Sequence, residues 1–118
     1  MSVEIESRVH HGFVSSLLDS GRTPSSHEIA ATLGVSLQTV QEALRSLERT
    51  HGVVLHPHVC EPWVMHPFSA SPSATWVEAA DRGWWAPCMW CACGVAALAK
   101  TDVTIHTRIG GEIGRAHV

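Results

Sequence analysis

The chain has 118 residues and a mass of 12.8 kDa, and 45% of its residues are hydrophobic whereas only 16% are charged. This composition fits one ordinary folded domain or two very small ones, and it excludes a largely disordered chain. The formal net charge of −3 provides no long-range attraction for nucleic acid or anionic lipid. Every apolar run is much shorter than the ~20 residues of a membrane span, and the first residues lack a secretory signal pattern. We therefore expect a cytoplasmic protein that has neither a membrane nor a nucleic-acid partner.

Three amphipathic helices are predicted in the first half of the chain. Apolar residues at helical spacing predict a first helix that ends near Ser20. Ser and Thr residues that can cap a helix precede a short second helix, which ends before Gly34, and Ser36 is placed to cap a third. Two short apolar segments, 52–55 and 63–65, then predict a β-hairpin. Three helices followed by a hairpin are typical of a winged-helix domain.

The segment Thr23–Leu47 resembles the helix-turn-helix core of many bacterial transcription regulators. However, residues 1–60 contain four Arg and six acidic residues, a net charge of −2, and the third helix itself carries Glu42 and Glu48. Such a surface binds phosphates poorly. The sequence therefore favours a packing module over a DNA-binding domain at residues 1–65.

The second half of the chain alternates between strand and helix patterns. A Ser- and Pro-rich segment at residues 66–74 predicts an ordered connector. Strands are then predicted at Thr75–Val77, Trp84–Ala86 and Val103–Ile109, and the last of them ends at Gly110-Gly111. A helix is predicted between the second and third of these strands, with Pro87 as its first residue and Cys88 to Lys100 following. We therefore predict an α+β fold, in which a winged-helix domain of three helices and a small hairpin precedes a partial α/β core at residues 75–111.

Four cysteines, Cys60, Cys88, Cys91 and Cys93, are the main candidates for chemistry. In a cytoplasmic chain, three cysteines within six positions indicate metal binding or reactive thiols rather than disulfides. If the helix begins at Pro87, Cys88 and Cys91 share one face of its first turn, and Cys93 is rotated by about 200° from Cys91. A helix N-terminus stabilises a thiolate, so Cys88 or Cys91 can have a lowered pKa. Soft thiolates select thiophilic metals such as Cu(I), zinc and mercury.

Two alternatives to a mercury-type thiol site stay open at this point. The cysteines can simply be small buried hydrophobic residues among the neighbouring Trp and Ala side chains. They can also form a structural zinc site, with Cys60 or His106 as a remote fourth ligand. A metal-sensing regulator that uses the cysteine cluster is the corresponding alternative function.

The run Trp84–Ala92, together with the small-residue helix after it and Asp102–Thr107, resembles the organomercurial (alkylmercury) lyases. The segment Pro62–Ser69 extends the resemblance. It implies a first domain that does not bind DNA, joined by a connector to a core that cleaves carbon–mercury bonds by protonolysis. The substrate would be an organomercurial small molecule or Hg(II), and no cofactor would be required.

The resemblance also implies roles for individual residues. In this family one cysteine thiolate attacks mercury, a second cysteine shares the metal, and an aspartate three residues after the first cysteine handles the proton. Cys91 matches the first cysteine and is the predicted catalytic residue, whereas Gly94 stands in the place of the aspartate. Cys88 or Cys93 can supply the second thiol, and Cys88 is the predicted second mercury ligand because it shares a face with Cys91. We therefore expect mercury capture without useful turnover, with Cys91 the most reactive thiol and Cys88 the next.

The last seven residues, 112–118, fit neither a strand pattern nor a helix cap. They can be encoded as GAG ATC GGA AGA GCA CAC GTC, which after the first base resembles a common sequencing-library adapter. We therefore expect residues 112–118 to be a non-native tail on a fragment whose natural sequence stops near Gly111 or Glu112.

Overall fold

The structure is a computed structural model that describes residues 3–50, 52–109 and 112–118. The first five elements are α1 (Val3–Ser20), α2 (Ser26–Leu33), α3 (Leu37–Arg49), β1 (Val53–Leu55) and β2 (Pro62–Met65). The remaining elements are β3 (Phe68–Ser69), β4 (Thr75–Glu78), β5 (Gly83–Ala86), α4 (Met89–Ala99), β6 (Thr104–Ile109) and β7 (Glu112–His117).

The three N-terminal helices begin and end where the sequence predicts. The side chain of Ser25 accepts a hydrogen bond from the backbone N–H of Glu28, and Ser36 does the same for Thr39. These N-caps satisfy amide groups that a helix start otherwise leaves unpaired. Gly34 ends α2 with φ of 69°, a left-handed conformation that glycine adopts without steric cost. The three helices and the β1–β2 hairpin thus have the predicted order.

All seven strands form one sheet in the order β1-β2-β3-β5-β4-β6-β7, and the neighbouring strands are antiparallel. The α+β class is therefore confirmed. The prediction of a partial α/β core is wrong, because an α/β core has parallel strands joined by crossover helices.

The predicted connector at residues 66–74 also contains a short strand. Within β3, Ser69 pairs with Val64 of the hairpin on one side and with Trp85 of β5 on the other. The connector therefore continues the sheet from the hairpin into the core strands.

Two further boundaries differ from the prediction. Helix α4 begins at Met89 rather than at Pro87, because Cys88 is extended, with φ of −158° and ψ of 175°, and forms the N-cap. Residues 112–117 form β7, which pairs with β6 from Glu112 to His117, so the expectation that this stretch is no strand is wrong. Its side chains are mostly exposed, and backbone pairing alone is sufficient to hold an edge strand of this kind. The predicted strand end at Gly110-Gly111 lies outside the described residues.

The N-terminal helices are fixed to the sheet by hydrogen bonds at the end of α1. The indole Nε1 of Trp84 donates to the backbone oxygen of Leu17 at 2.8 Å, and this contact is buried. Arg82 donates from its guanidinium to the backbone oxygens of Leu18 at 3.3 Å and Asp19 at 2.6 Å. A cationic side chain is favourable at this position because the carbonyl end of a helix carries partial negative charge.

Helix α4 packs across β4 and β5 and buries Ala92, Val95 and Ala96. On another side, α4 lies against the connector: a Cβ added at Gly94 would be 3.2 Å from Cβ of Pro67. Helix α4 therefore runs close to the segment His66–Pro67. None of the helices that the structure describes is long and apolar enough to cross a membrane.

Candidate thiol site

The first turn of α4 carries two cysteines in different surroundings. Cys88 is the N-cap residue and is exposed. Cys91 lies one turn further along, is half-buried, and packs against the hydrophobic core. The two thiols are close enough that each shifts the pKa of the other.

Cys91 has a second polar neighbour outside its own helix. Its Sγ lies 3.6 Å from Nδ1 of His66, and the tautomer of the imidazole decides which of the two groups donates. Helix α1 also contacts this histidine, because the imidazole of His10 hydrogen-bonds to the backbone of His66. The pKa of His10 is lowered, mainly by burial. The hydrogen bond to the backbone of His66 acts in the opposite direction, whereas the charges of the His11 and His66 rings lower the pKa further. A row of His10, His66 and Cys91 therefore connects α1 to α4.

The pKa values of the two thiols are shifted in opposite directions. The pKa of Cys88 is lowered, mainly because its sulfur accepts a hydrogen bond from the backbone N–H of Cys91. Burial acts in the opposite direction, and hydrogen bonds from the Cys91 thiol and the N–H of Trp90 lower the pKa further. Burial raises the pKa of Cys91 to about 11, and the hydrogen bond and negative charge of Cys88 contribute to the rise. Cys88 is therefore the thiol of the pair that ionises more readily, and Cys91 keeps its proton at neutral pH. This order is opposite to the predicted one, in which Cys91 is the more reactive thiol.

An apolar pocket of about 530 Å³ opens beside Cys88. Its volume lies within the range of about 300–1,000 Å³ that is usual for small-molecule sites. Its lining includes Pro87, Cys88, Met89, Trp90, Cys93 and Arg108. The lining does not include Cys91, so Cys88 alone of the pair faces both the pocket and the second thiol.

The structure does not bring the other predicted ligands to this site. The thiol of Cys60 donates to the backbone oxygen of Gln41 at 3.7 Å, within the N-terminal half. His106 instead pairs with Glu78, with Nε2 and Oε1 3.0 Å apart. Within the described part of the chain, no three His, Cys, Asp or Glu side chains are grouped so that they could hold a metal ion. The zinc alternative therefore has no support among these residues, and burial does not explain Cys88 and Cys93, which are exposed.

Acidic side chains are also absent from the described lining of the pocket. Gly94 has no side chain, and its close approach to Pro67 leaves little room for one. Asp81 pairs with Arg82 at 3.0 Å, and Asp102 lines a different cleft between β4 and β6. The site therefore offers thiols and a histidine, but no carboxylate among the residues described.

One residue of the site is not predicted from the sequence. His66 lies 25 positions from Cys91, and no spacing rule connects the two residues. Cys93, a candidate from the sequence, lines the same pocket as Cys88.

Comparisons with known proteins agree with this geometry. Residues 68–115 match the family model described as MerB, alkylmercury lyase. A solved structure described as the mercury-bound form of MerB2 aligns with 100% of this chain and 57% of that chain, at a TM-score of 0.77 and 18% sequence identity. At that identity the alignment establishes a shared fold, and this chain spans little more than half of the MerB2 chain. A comparison with curated protein sequences gave no match. Residues 68–115 are therefore similar to the alkylmercury lyase family, and the whole chain shares the fold of MerB2.

Proposed function

We propose that this chain captures Hg(II) and organomercurial compounds through Cys88 and Cys91, as an alkylmercury lyase-like protein. The observation that carries the proposal is the pair of interacting thiols at the start of α4, one of which faces an apolar pocket of about 530 Å³. Thiolates are soft ligands and select soft metals such as mercury. The family match at residues 68–115 supports the same chemistry.

Capture begins at Cys88, which is exposed and has a lowered pKa. Its thiolate attacks the mercury of R–Hg–X, where R is the organic group and X is a bound anion. The sulfur–mercury bond forms as the Hg–X bond breaks, which leaves Cys88–S–Hg–R and X⁻. The apolar pocket beside Cys88 can receive R, since it offers the side chains of Met89, Trp90 and Pro87.

Cys91 is the second mercury ligand and, as predicted from the sequence, the catalytic residue that completes the reaction. Its thiol lies next to the sulfur of Cys88, so a metal held on Cys88 is within its reach. Cleavage would balance as Cys88–S–Hg–R plus HS–Cys91 giving RH plus Cys88–S–Hg–S–Cys91. The electron pair of the carbon–mercury bond becomes that of the C–H bond, and one proton is transferred in total. The chain offers no described carboxylate to move this proton, which favours capture over rapid cleavage.

This chemistry uses only the sulfur atoms of the protein, with mercury as the substrate, so it needs no resident cofactor. It does require reduced cysteines. The cytoplasm keeps thiols reduced, which supports the expected cytoplasmic location.

Native mass spectrometry with Hg(II) and phenylmercury tests the proposal. In the presence of excess glutathione, we expect one Hg(II) per chain to be retained. The variants Cys88→Ala and Cys91→Ala should each lose this retention, because one thiolate alone competes poorly with glutathione.

Cys60→Ala is the matched control, because Cys60 is half-buried but lies in the N-terminal half of the chain. It should retain Hg(II) as the unchanged chain does. Retention in the double variant Cys88→Ala with Cys91→Ala would contradict the proposal.

A further inference from the structure

The segment Cys88-Met89-Trp90-Cys91 is a C-x-x-C motif at the start of helix α4. Cys88 is the N-cap residue, and Cys91 therefore occupies the position whose backbone N–H a capping side chain normally reaches. The sulfur of Cys88 accepts a hydrogen bond from this N–H. The geometry of the helix start thus brings the sulfur of Cys88 to the residue that carries the second thiol, and each thiol shifts the pKa of the other.

The two thiols differ in their access to a dissolved reactant. Both cysteines are free, but Cys88 is exposed and lies beside the apolar pocket. Cys91 is half-buried against the hydrophobic core and does not line the pocket. A disulfide that arrives from solution therefore meets the sulfur of Cys88 first. Cys91 is placed to react with a sulfur that is already bound at Cys88.

The other two cysteines lack this arrangement. The thiol of Cys60 donates to the backbone oxygen of Gln41 in the N-terminal half of the chain. Cys93 follows Cys91 by two residues in α4, a separation at which helical side chains do not face each other. Among the four cysteines, Cys88 and Cys91 are thus the pair that the start of the helix holds together.

We propose that Cys88 and Cys91 act as a dithiol that exchanges with the disulfides of small molecules, an activity beyond mercury capture. The substrate is a disulfide R–S–S–R with a small or apolar group R, because the lining beside Cys88 includes Pro87, Met89 and Trp90. C-x-x-C motifs at helix starts are used in this way by disulfide oxidoreductases, since the first thiol attacks the substrate and the second releases it.

The exchange consists of two balanced steps. In the first step, the sulfur of Cys88 attacks one sulfur of R–S–S–R, so that Cys88–S–S–R forms and RS⁻ leaves. In the second step, the sulfur of Cys91 attacks that of Cys88, which forms the Cys88–Cys91 disulfide and releases a second RS⁻. The protons of the two protein thiols pass through water to the leaving groups. The sum is two protein thiols and R–S–S–R giving one protein disulfide and two RSH, so the protein is oxidised and the substrate is reduced.

The test combines the reduced chain with bis(2-hydroxyethyl) disulfide, an uncharged probe that the net charge of −3 does not repel. After timed exposure, free thiols are blocked with N-ethylmaleimide, disulfides are reduced, and the released thiols are labelled with iodoacetamide. Tandem mass spectrometry of the tryptic peptide 83–100 then identifies the oxidised cysteines, and the intact mass separates an internal disulfide from an adduct of the probe. We expect the Cys88–Cys91 disulfide with little adduct, and recovery of the dithiol when excess 2-mercaptoethanol is added.

Variants of single cysteines separate the two steps. Since an oriented intramolecular thiol acts at an effective concentration far above that of a dissolved one, Cys91→Ala should raise the amount of adduct on Cys88 by about tenfold or more. In this variant Cys60 should stay unmodified, which shows that the chain is still folded. Cys60→Ala is the matched control, because Cys60 lies in the N-terminal half of the chain, and it should form the internal disulfide as the unchanged chain does.

The outcomes separate this inference from the proposed function. The inference is wrong if the unchanged chain does not react, if it accumulates the adduct on Cys88 as Cys91→Ala does, or if the internal disulfide includes Cys93 or Cys60. Mercury capture stands in each of these cases when the reduced chain retains Hg(II). If the Cys88–Cys91 disulfide forms but the reduced chain does not retain Hg(II), the proposed function is wrong and the inference stands.

Discussion

Alkylation of the two cysteines in the first turn of α4 should proceed in the order Cys88 and then Cys91. The pKa of Cys91 is raised from an ordinary value of 9.0 to about 11, so near pH 7 about 100-fold less thiolate is present than in an unperturbed thiol. The more basic thiolate is intrinsically more nucleophilic, by about six- to tenfold for such a shift. The net effect is a rate at Cys91 roughly tenfold below that of an unperturbed cysteine, whereas the pKa of Cys88 is lowered and favours its reaction.

The assay is alkylation by iodoacetamide, quenched at intervals and followed by peptide mapping. A short peptide with one cysteine gives the unperturbed rate. As the pH is raised, the rate at Cys91 should continue to rise until about pH 11, whereas the rate at Cys88 should level off at a lower pH than that of the unperturbed peptide. Cys88→Ala should lower the pKa of Cys91 only in part, because burial is the main cause of the shift.

Two results would refute this reasoning. One is that Cys91 reacts before Cys88 at pH 7, which is the order expected from the sequence. The other is a rate at Cys91 that levels off below pH 9, since a thiol shielded in the first turn of α4 cannot ionise there.

Three further predictions concern stability, turnover and nucleic acid. Trp84→Phe should lower the free energy of unfolding by about 0.5–1.5 kcal/mol in urea, because the oxygen of Leu17 loses one of its two donors and keeps the N–H of Gly21; Trp90→Phe, at an 86% exposed position, should change it little, and equal effects would contradict this explanation. Phenylmercury should be captured without benzene release above a free-thiol background, because positioned general acids typically supply ~10²–10⁴ in rate and Gly94 cannot act as one; headspace chromatography measures the release, and benzene that disappears in Cys91→Ala would show that turnover occurs. Fluorescence anisotropy at low salt should detect no saturable DNA binding, since acidic residues flank the arginines of α3; a submicromolar, steeply salt-dependent complex would favour a regulator instead.

Local sequence determined most of the secondary structure. Ser25, Ser36 and Gly34 set the ends of α2 and α3, because capping and left-handed turns depend on a few neighbouring residues. Apolar spacing likewise located the β1–β2 hairpin and β4. The α+β class was predicted from such patterns and is confirmed by the sheet and helices of the structure. The alkylmercury lyases were named from the resemblance of particular runs such as Trp84–Ala92, and the family model matches residues 68–115.

The start of helix α4 and the presence of the edge strand β7 were not predicted correctly from local sequence patterns. Pro87 is compatible with a helix start, but the extended backbone of Cys88 moves the start to Met89. In β7, backbone pairing with β6 decides the structure, and a strand held in this way needs no alternating pattern.

Only the tertiary structure decided what the thiols of the site can do. The spacing of Cys88 and Cys91 predicts that they meet, but it does not tell which of them ionises more readily. That difference follows from burial of Cys91 by the core, and a distant part of the chain supplies His66. A pKa and a ligand pocket depend on everything packed around a group, so residues far apart in the sequence determine them together.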